Sequence, residues 1–421
     1  MQVYKFGGAS VKDAEGVRNL ARILKLNQPG QLLIVISAMG KTTNLLEALC
    51  NAYFSENGEA TTLLQQAKDY HEHILHELFP DHKHPVYDLI ANTFVEIEWI
   101  LEEEPQDEFD YLYDQIVSVG ELLSTRIVST YLNSLGYINQ WLDARNYIST
   151  DNNYRDAKVD WPKTENNIQA DLPSMLTEST VITQGFIGST SENFTTTLGR
   201  EGSDFTAAIF ASCLNAEAVT IWKDVPGVLN ADPKWFDQTE LIKELSYLDA
   251  IELTYYGATV IHPKTIKPLQ NKNIPLIVRS FLKPETIGTV VHQNQGTLPI
   301  PSFIFKVNQV HIAILPKDFS FIVEDNLSHI FTLFHQHKVK INMMHNSAVS
   351  FSVSVDDDET KIPLLVTSLK ERYDVSVEAG LELVTIRYYN QETINRVLIH
   401  KEIVLEVKNG YTCQMLIRTI G

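Results

Sequence analysis

Apolar positions along the chain alternate between two spacings. Residues 3–6 form a short β-prone run interrupted by Lys5 and closed by Gly7 and Gly8. Val17, Leu20, Ala21 and Leu24 then recur at helical spacing behind Asp13 and Glu15, and residues 32–38 (LLIVISA) make a continuous apolar run. Such a run is typical of a strand covered on both faces, so the order strand, glycine turn, helix, strand predicts a βαβ unit with a parallel pair. Ligands of such units sit beyond the carboxyl ends of the strands, where Lys5, Gly7, Gly8 and Ser37 fall. Thr42 or Thr43 is placed to cap the next helix, which carries Leu45, Leu46 and Leu49.

The pattern stays amphipathic and helical from residue 45 to about 135, with short breaks near Gly58, Pro80, Pro85 and Pro105. Glu121 follows Gly120 in the first turn of one of these helices. A strand over 181–183 leads to Gly185-Phe186-Ile187-Gly188 and a polar stretch with three threonines. Gly199, Arg200, Gly202, Ser203 and Asp204 then open a helix, with Ser203 as the expected N-cap. A strand ending at Trp222 is followed by turns at 225–227 and 232–233, a helix ending at Gly257, a second helix opening at His262-Pro263, and a last strand over 273–281. The Gly/Pro/Gln-rich residues 293–302 read as the domain boundary. Beyond them a smaller βαββαβ order is typical of an α+β domain, with an acidic turn over 356–359.

Length adds that 421 residues suffice for two or three domains. No apolar run approaches the roughly 18 residues needed to cross a bilayer, and the N-terminus lacks the pattern of a secretory leader, so a cytoplasmic protein is expected. Cys50, Cys213 and Cys413 are far apart, without CxxC spacing, and imply neither a disulfide framework nor a zinc site. A formal charge of −19 excludes nucleic acid as a main partner. It also means that an anionic ligand has to be drawn in locally, by a few lysines and arginines in a cleft.

Against that charge the cations near glycines stand out. Glycines let consecutive N–H groups turn toward one anion, and Lys5 adds a mobile full charge, although Lys-Phe-Gly-Gly is equally a tight turn after an edge strand. Arg200, flanked by glycines before a helix start, suits a carboxylate or phosphate. Asp204 beside it orients a lysine, holds a metal or grips an ammonium. A glutamate such as Glu121 is common in a first turn for the helix dipole alone. His71, His73, His76, His82 and His84 cluster without metal-ligand spacing and are assigned to a helix end and loop.

Taken together, KFGGAS at 5–10, ISAMGKTTNLL at 36–46, SVGELLST at 118–125, VITQGFIGS at 181–189, TTTLGREGSDF at 195–205, WKDVPGVLNADP at 222–233, YYGATVIHPKT at 255–265 and INMMHNSAVSFSV at 341–353 resemble the aspartate kinases. These are amino-acid kinases with C-terminal ACT regulatory modules, and the resemblance covers nearly the whole chain. It implies an α/β amino-acid kinase fold over residues 1–293, with a largely parallel central sheet flanked by helices. It also implies an α+β ACT-like region over 303–421, whose second module is shortened. The implied reaction moves the γ-phosphoryl group of ATP, carried with Mg2+, to the β-carboxylate of L-aspartate, with no tightly bound prosthetic group. The remaining length leaves no room for a homoserine dehydrogenase domain, so a monofunctional enzyme is expected, and a homo-oligomer with it.

By the same resemblance Lys5 and Asp204 are the catalytic pair. Ser37, Thr43, Glu121, Phe186, Arg200 and Ser203 bind aspartate, with Arg200 on the α-carboxylate and Glu121 on the α-ammonium. Lys5, Gly7, Gly8, Ser10, Lys223, Asp224, Leu229, Asp232, Lys234 and Thr259 bind ATP. Asn342, Met343, Met344, Asn346 and Ser347 form the effector region. Four positions depart from the family pattern: Ala9 for Ser or Thr, Glu201 for Gly, Lys223 for Thr, and Thr259 for Lys. Asn342 and Ala348 stand where lysine-sensitive members are often acidic, so the effector stays open. The competing expectations are a silent amino-acid sensor of the same superfamily and a kinase for another small carboxylate.

Overall fold

The computed structural model describes residues 1–236, 238–258, 260–293, 300–318 and 320–420. In chain order the first part runs β1 (Gln2–Phe6), α1 (Ala14–Asn27), β2 (Leu32–Ile36), α2 (Thr42–Phe54), α3 (Ala60–Leu78), α4 (Val86–Leu101), α5 (Phe109–Val117), α6 (Val119–Ser134), β3 (Asn139–Leu142), α7 (Trp161–Glu178) and β4 (Thr180–Gln184). It continues through β5 (Ile187–Ser189), β6 (Thr195–Thr197), α8 (Gly202–Leu214), β7 (Ala218–Lys223), β8 (Glu244–Ser246), α9 (Tyr247–Tyr256), α10 (Pro263–Lys272), β9 (Leu276–Ser280) and β10 (Thr289–His292). Eight strands form one sheet in the order β3-β4-β2-β1-β7-β9-β10-β8. Every neighbouring pair is parallel except β9 and β10.

The expected βαβ start is present, and β1 lies in the middle of the sheet. All five residues of β2 are buried. That explains its unbroken apolar run, because a central parallel strand is covered by helices on both faces. Asp13 caps α1 by accepting from the Gly16 N–H at 2.7 Å. Neither Thr42 nor Thr43 is the cap of α2. Lys41 holds that place, and Thr42 lies inside the helix with its hydroxyl donating to the Met39 carbonyl at 2.6 Å. Likewise α8 begins one residue before Ser203, and its cap position is Glu201. Strand β10 and the β5–β6 hairpin lie where no strand is read from the sequence. Both are too short for a period-2 signal, and only their pairing reveals them.

The last part comprises β11 (Ser302–Pro316), α11 (Glu324–Gln336), β12 (Ile341–Asn346), β13 (Phe351–Asp356), α12 (Lys361–Lys370), β14 (Tyr373–Arg387), α13 (Gln391–Val397), β15 (Lys401–Lys408) and β16 (Thr412–Thr419). They form an antiparallel sheet in the order β12-β13-β11-β14-β16-β15. The 15-residue strands β11 and β14 run through both halves of it, and their register shifts around Gln309. One half packs under α11 and α12 around Ile312, Ile330, Phe351 and Leu365, and the other packs under α13 around Phe303, Val384, Ile394 and Met415. Among the described residues the second half therefore has four strands and a single helix.

Packing divides the chain into two compact units, and the division is not a single cut between 293 and 303. The second unit takes Leu229–Ile242 and residues 252–258 along with the C-terminal region. The reason is local: Ala231 is buried in its core, Phe236 stacks on Phe303 with ring centroids 4.7 Å apart, and Glu252 pairs with Arg387 at 3.3 Å. Among the described residues no helix is long and apolar enough to cross a membrane. His71 is buried with its Nδ1 2.7 Å from the Ala67 carbonyl, and burial lowers its pKa to about 4; His76 packs on His82 and Tyr87. In the acidic turn, Asp358 accepts from the N–H groups of Thr360 and Lys361 and so starts α12.

Candidate active site

Lys5 is the penultimate residue of β1, in register between Val35 of β2 and Ile221 of β7, so its side chain leaves the centre of the sheet near the carboxyl ends. It is 6% exposed. A lysine stays there only with a partner, and Asp204 supplies one: its Oδ1 lies 2.6 Å from Lys5 Nζ. The other oxygen, Oδ2, lies 3.2 Å from Nζ of Lys223, the last residue of β7. Burial pushes the Asp204 pKa up, but Lys5 and Lys223 together outweigh it and hold the group below the usual carboxylate value.

The turn after β1 is fastened to the turn after β2. The Ser37 N–H donates to the Phe6 carbonyl at 3.1 Å, and the Gly40 N–H to that of Gly8 at 3.0 Å. A Cβ on Gly8 would sit 2.6 Å from the Ala38 carbonyl oxygen, so this approach requires glycine. Ser10 is buried, and its hydroxyl donates to the Trp222 carbonyl at 3.3 Å, which ties the turn to β7. Ala9 is exposed.

Beside this corner opens a cavity of about 410 Å3 lined by Lys5, Ser37, Thr43, Glu121, Phe186, Arg200 and Ser203. Lys5 and the expected aspartate-binding residues thus come together from β1, the end of β2, α2, α6, the end of β4 and the start of α8. Gly120 lets α6 approach this closely, since a Cβ there would already touch Thr42 and Ala38 at 3.0 and 3.2 Å. Glu121 is 3% exposed, and its Oε2 has no hydrogen-bond partner among the described residues. Burial raises its pKa to about 8, although the Ala38 N–H and Lys5 act the other way. Phe186 adopts φ 71°, rare for a bulky residue, and is held by its N–H donating to Thr206 Oγ1 at 2.9 Å and its carbonyl accepting from Leu198 at 2.8 Å. Arg200 is exposed and makes no ion pair with a carboxylate among the described residues.

Tyr113 and Arg155 also line the cavity and were not expected. Arg155 lies 4.3 Å over the Tyr113 ring and pairs with Glu47 and Asp110 at 3.3 and 3.4 Å. Asp114 fixes it by accepting from the Arg155 N–H at 3.0 Å and from Thr197. Tyr113 has the spacing of an ordinary helix-face residue and Arg155 lies in an aperiodic stretch, so neither carries a sequence signal.

The expected nucleotide residues are drawn from both units. Lys5, Gly7, Gly8, Ser10 and Lys223 meet at the corner, and Asp224 follows Lys223, exposed. Leu229, Asp232 and Lys234 belong to the second unit, where Asp232 accepts from the Lys234 N–H in a local turn. Thr259 lies outside the described residues. The expected effector residues lie in different environments along β12 and the turn after it. Met343 is in the core, Met344 and Asn346 are exposed, and Ser347 bonds to Ser350. Asn342 is buried among Lys306, Gln309 and Asp356, which satisfy its amide.

A mostly parallel sheet with a lysine-and-glycine corner beside an acid-and-guanidinium cavity defines a small-molecule phosphotransferase. Residues 1–280 match the model of the amino acid kinase family, and the chain belongs to that family. Over 397 residues it is 32% identical to the lysine-sensitive aspartokinase 3 of Escherichia coli K12, covering 91% of this chain and 86% of the relative. It is 30% identical to the chloroplastic aspartokinase 2 of Arabidopsis thaliana, covering 84% and 66%. The solved E. coli aspartokinase III with aspartate and ADP superposes with a TM-score of 0.83 at 29% identity, covering 99% of this chain and 96% of that one. The same enzyme with lysine and aspartate gives 0.84, covering 99% and 95%. Within the amino acid kinases this chain is an aspartokinase, an ATP-dependent kinase acting on aspartate.

Proposed function

We propose that the cavity beside Lys5 is where this aspartokinase joins the γ-phosphoryl group of ATP to the β-carboxylate of L-aspartate, giving 4-phospho-L-aspartate. The observation that supports it most directly is the unpartnered Oε2 of buried Glu121 in the same cavity as Arg200 and Lys5. A buried carboxylate oxygen without a donor is costly unless a ligand brings one, and an α-ammonium brings it with a full charge. Arg200 then takes the α-carboxylate as a bidentate pair, and Ser37, Thr43 and Ser203 add hydroxyl donors. This leaves the β-carboxylate directed toward Lys5.

An aspartate side chain has a pKa of about 3.9 and is ionised at neutral pH, so no base has to activate the nucleophile. The task is to hold two anions in line and shield their repulsion. Lys5 neutralises charge on the transferring group, and Asp204 fixes Lys5. Gly7 and Gly8 present backbone N–H groups to the phosphates. Mg2+ arrives on the nucleotide. Both Asp204 oxygens already carry lysines, so the ion's ligands are chiefly phosphate oxygens and water.

Protein incubated with MgATP and L-aspartate should form an acyl phosphate that hydroxylamine traps. No product with aspartate, alongside turnover of another small carboxylate, would overturn the assignment. The ACT-like region takes an amino-acid effector in this reading, and the enzyme is a homo-oligomer. Titrating lysine, threonine and methionine into the assay, with sedimentation of the same sample, checks both.

A further inference from the structure

The lysine at the end of β7 has an arrangement that pairing with Asp204 alone does not explain. Lys223 Nζ touches Asp204 Oδ2 at 3.2 Å, the Val260 carbonyl at 2.7 Å and Glu201 Oε2 at 3.7 Å. The Glu201 contact is the longest of the three, and the Glu201 side chain is 33% exposed against 0% for that of Asp204. Glu201 also sits at φ 55°, a left-handed conformation that side chains rarely adopt, at the cap position of α8. From that position its carboxylate reaches Lys223. Meanwhile Asp204, with one charge, already serves Lys5. Lys5, Lys223, Asp204 and Glu201 together sum to zero, and without Glu201 the other three carry one surplus positive charge.

We propose that Lys223 is a second catalytic cation for the terminal phosphates of the nucleotide, and that Glu201 is its resident counter-ion, displaced when MgATP binds. The inference rests on placing the phosphates at the Lys5–Gly7–Gly8 corner. Lys5 and Lys223 project from the carboxyl ends of adjacent parallel strands and share one carboxylate, so they flank a single point. A phosphoryl oxygen arriving there meets Lys223 by exchanging with its loosest partner, and Asp204 and the Val260 carbonyl keep the ammonium in place meanwhile. Neighbouring acids hold the Lys223 pKa above its ordinary value despite burial, so the group is a cation throughout the neutral range.

The test sets two substitutions of opposite expected sign against each other. Lys223→Met should lower kcat/KM for MgATP about 100-fold, the scale of losing one charge-stabilising donor, with the aspartate KM within about threefold. Lys223→Arg should recover part of the loss. Glu201→Gln should bind ADP and MgATP about 3–10-fold more tightly, because an internal competitor is gone, and should have little effect in the Lys223→Met background. Calorimetric ADP binding to the full chain gives a readout independent of turnover. A pair that is merely structural would weaken in both variants. The proposal falls if Glu201→Gln weakens nucleotide binding, or if Lys223→Met binds and turns over MgATP like the wild type. If the wild type makes no aspartyl phosphate, the assigned substrate fails, while the ADP measurements still decide the role of Lys223.

Discussion

Replacing Glu121 with glutamine keeps the shape of the side chain and removes a carboxylate that is 3% exposed, with Oε2 unpartnered. Its pKa rises from 4.5 to about 8 on folding. Between those values the folded chain holds a proton that the unfolded chain has released, so stability falls as pH rises from 4.5 and levels off above 8. At 1.36 kcal/mol per unit, this burial costs the ligand-free protein on the order of 5 kcal/mol at alkaline pH, an upper bound because the site relaxes. Glu121→Gln should therefore be distinctly more stable than the wild type at about pH 8.5 and nearly equal to it at about pH 5. Its aspartate affinity should fall about 10–100-fold through loss of a charge-assisted bond, while MgATP binding is spared. The measurements are urea unfolding of the ligand-free chain at the two pH values, followed on the transition that aspartate shifts in the wild type, and KM values for both substrates. A variant destabilised equally at both pH values, or one with an unchanged aspartate KM, would refute the reasoning.

Other expectations follow from the same geometry. Asp204→Asn leaves buried Lys5 without its anion and Lys223 with only Glu201, and should destabilise the chain by about 3–5 kcal/mol while abolishing turnover, measured by denaturation and hydroxylamine trapping. Gly185→Ala puts a Cβ 2.4 Å from that of Ser203 and should raise the aspartate KM and lower stability by about 1–3 kcal/mol, with a smaller effect on the MgATP KM. Arg200→Lys keeps the charge but loses the fork, so its aspartate KM should rise about tenfold or more in steady-state kinetics. Asn342→Ala removes the donor to Gln309 and Asp356 and should destabilise the C-terminal unit by about 1–3 kcal/mol, read from the full chain's unfolding profile.

Much of the site was legible because its parts are local. Lys5 with Gly7 and Gly8, Gly120 with Glu121, and Gly199 to Asp204 are each a short motif at the end of one element, and spacing alone places a charge beside backbone that ligands can approach. The sequence signal misplaces the caps of α2 and α8 by one or two residues. Serine and threonine favour caps in general, whereas Lys41 and Glu201 hold those places here without a side-chain cap hydrogen bond.

The sequence by itself determined the parallel βαβ core, the helical stretch, the C-terminal α+β region and the residues that bear charge, because periodicity and glycine placement are properties of neighbours along the chain. Only the tertiary structure decided that Asp204 divides its oxygens between Lys5 and Lys223, that Tyr113 and Arg155 line the cavity, and that Leu229–Ile242 packs with the second unit. Those pairings join residues tens to hundreds of positions apart. Their energies come from burial and Coulomb attraction at a few ångströms, and no spacing within a strand or helix encodes that distance.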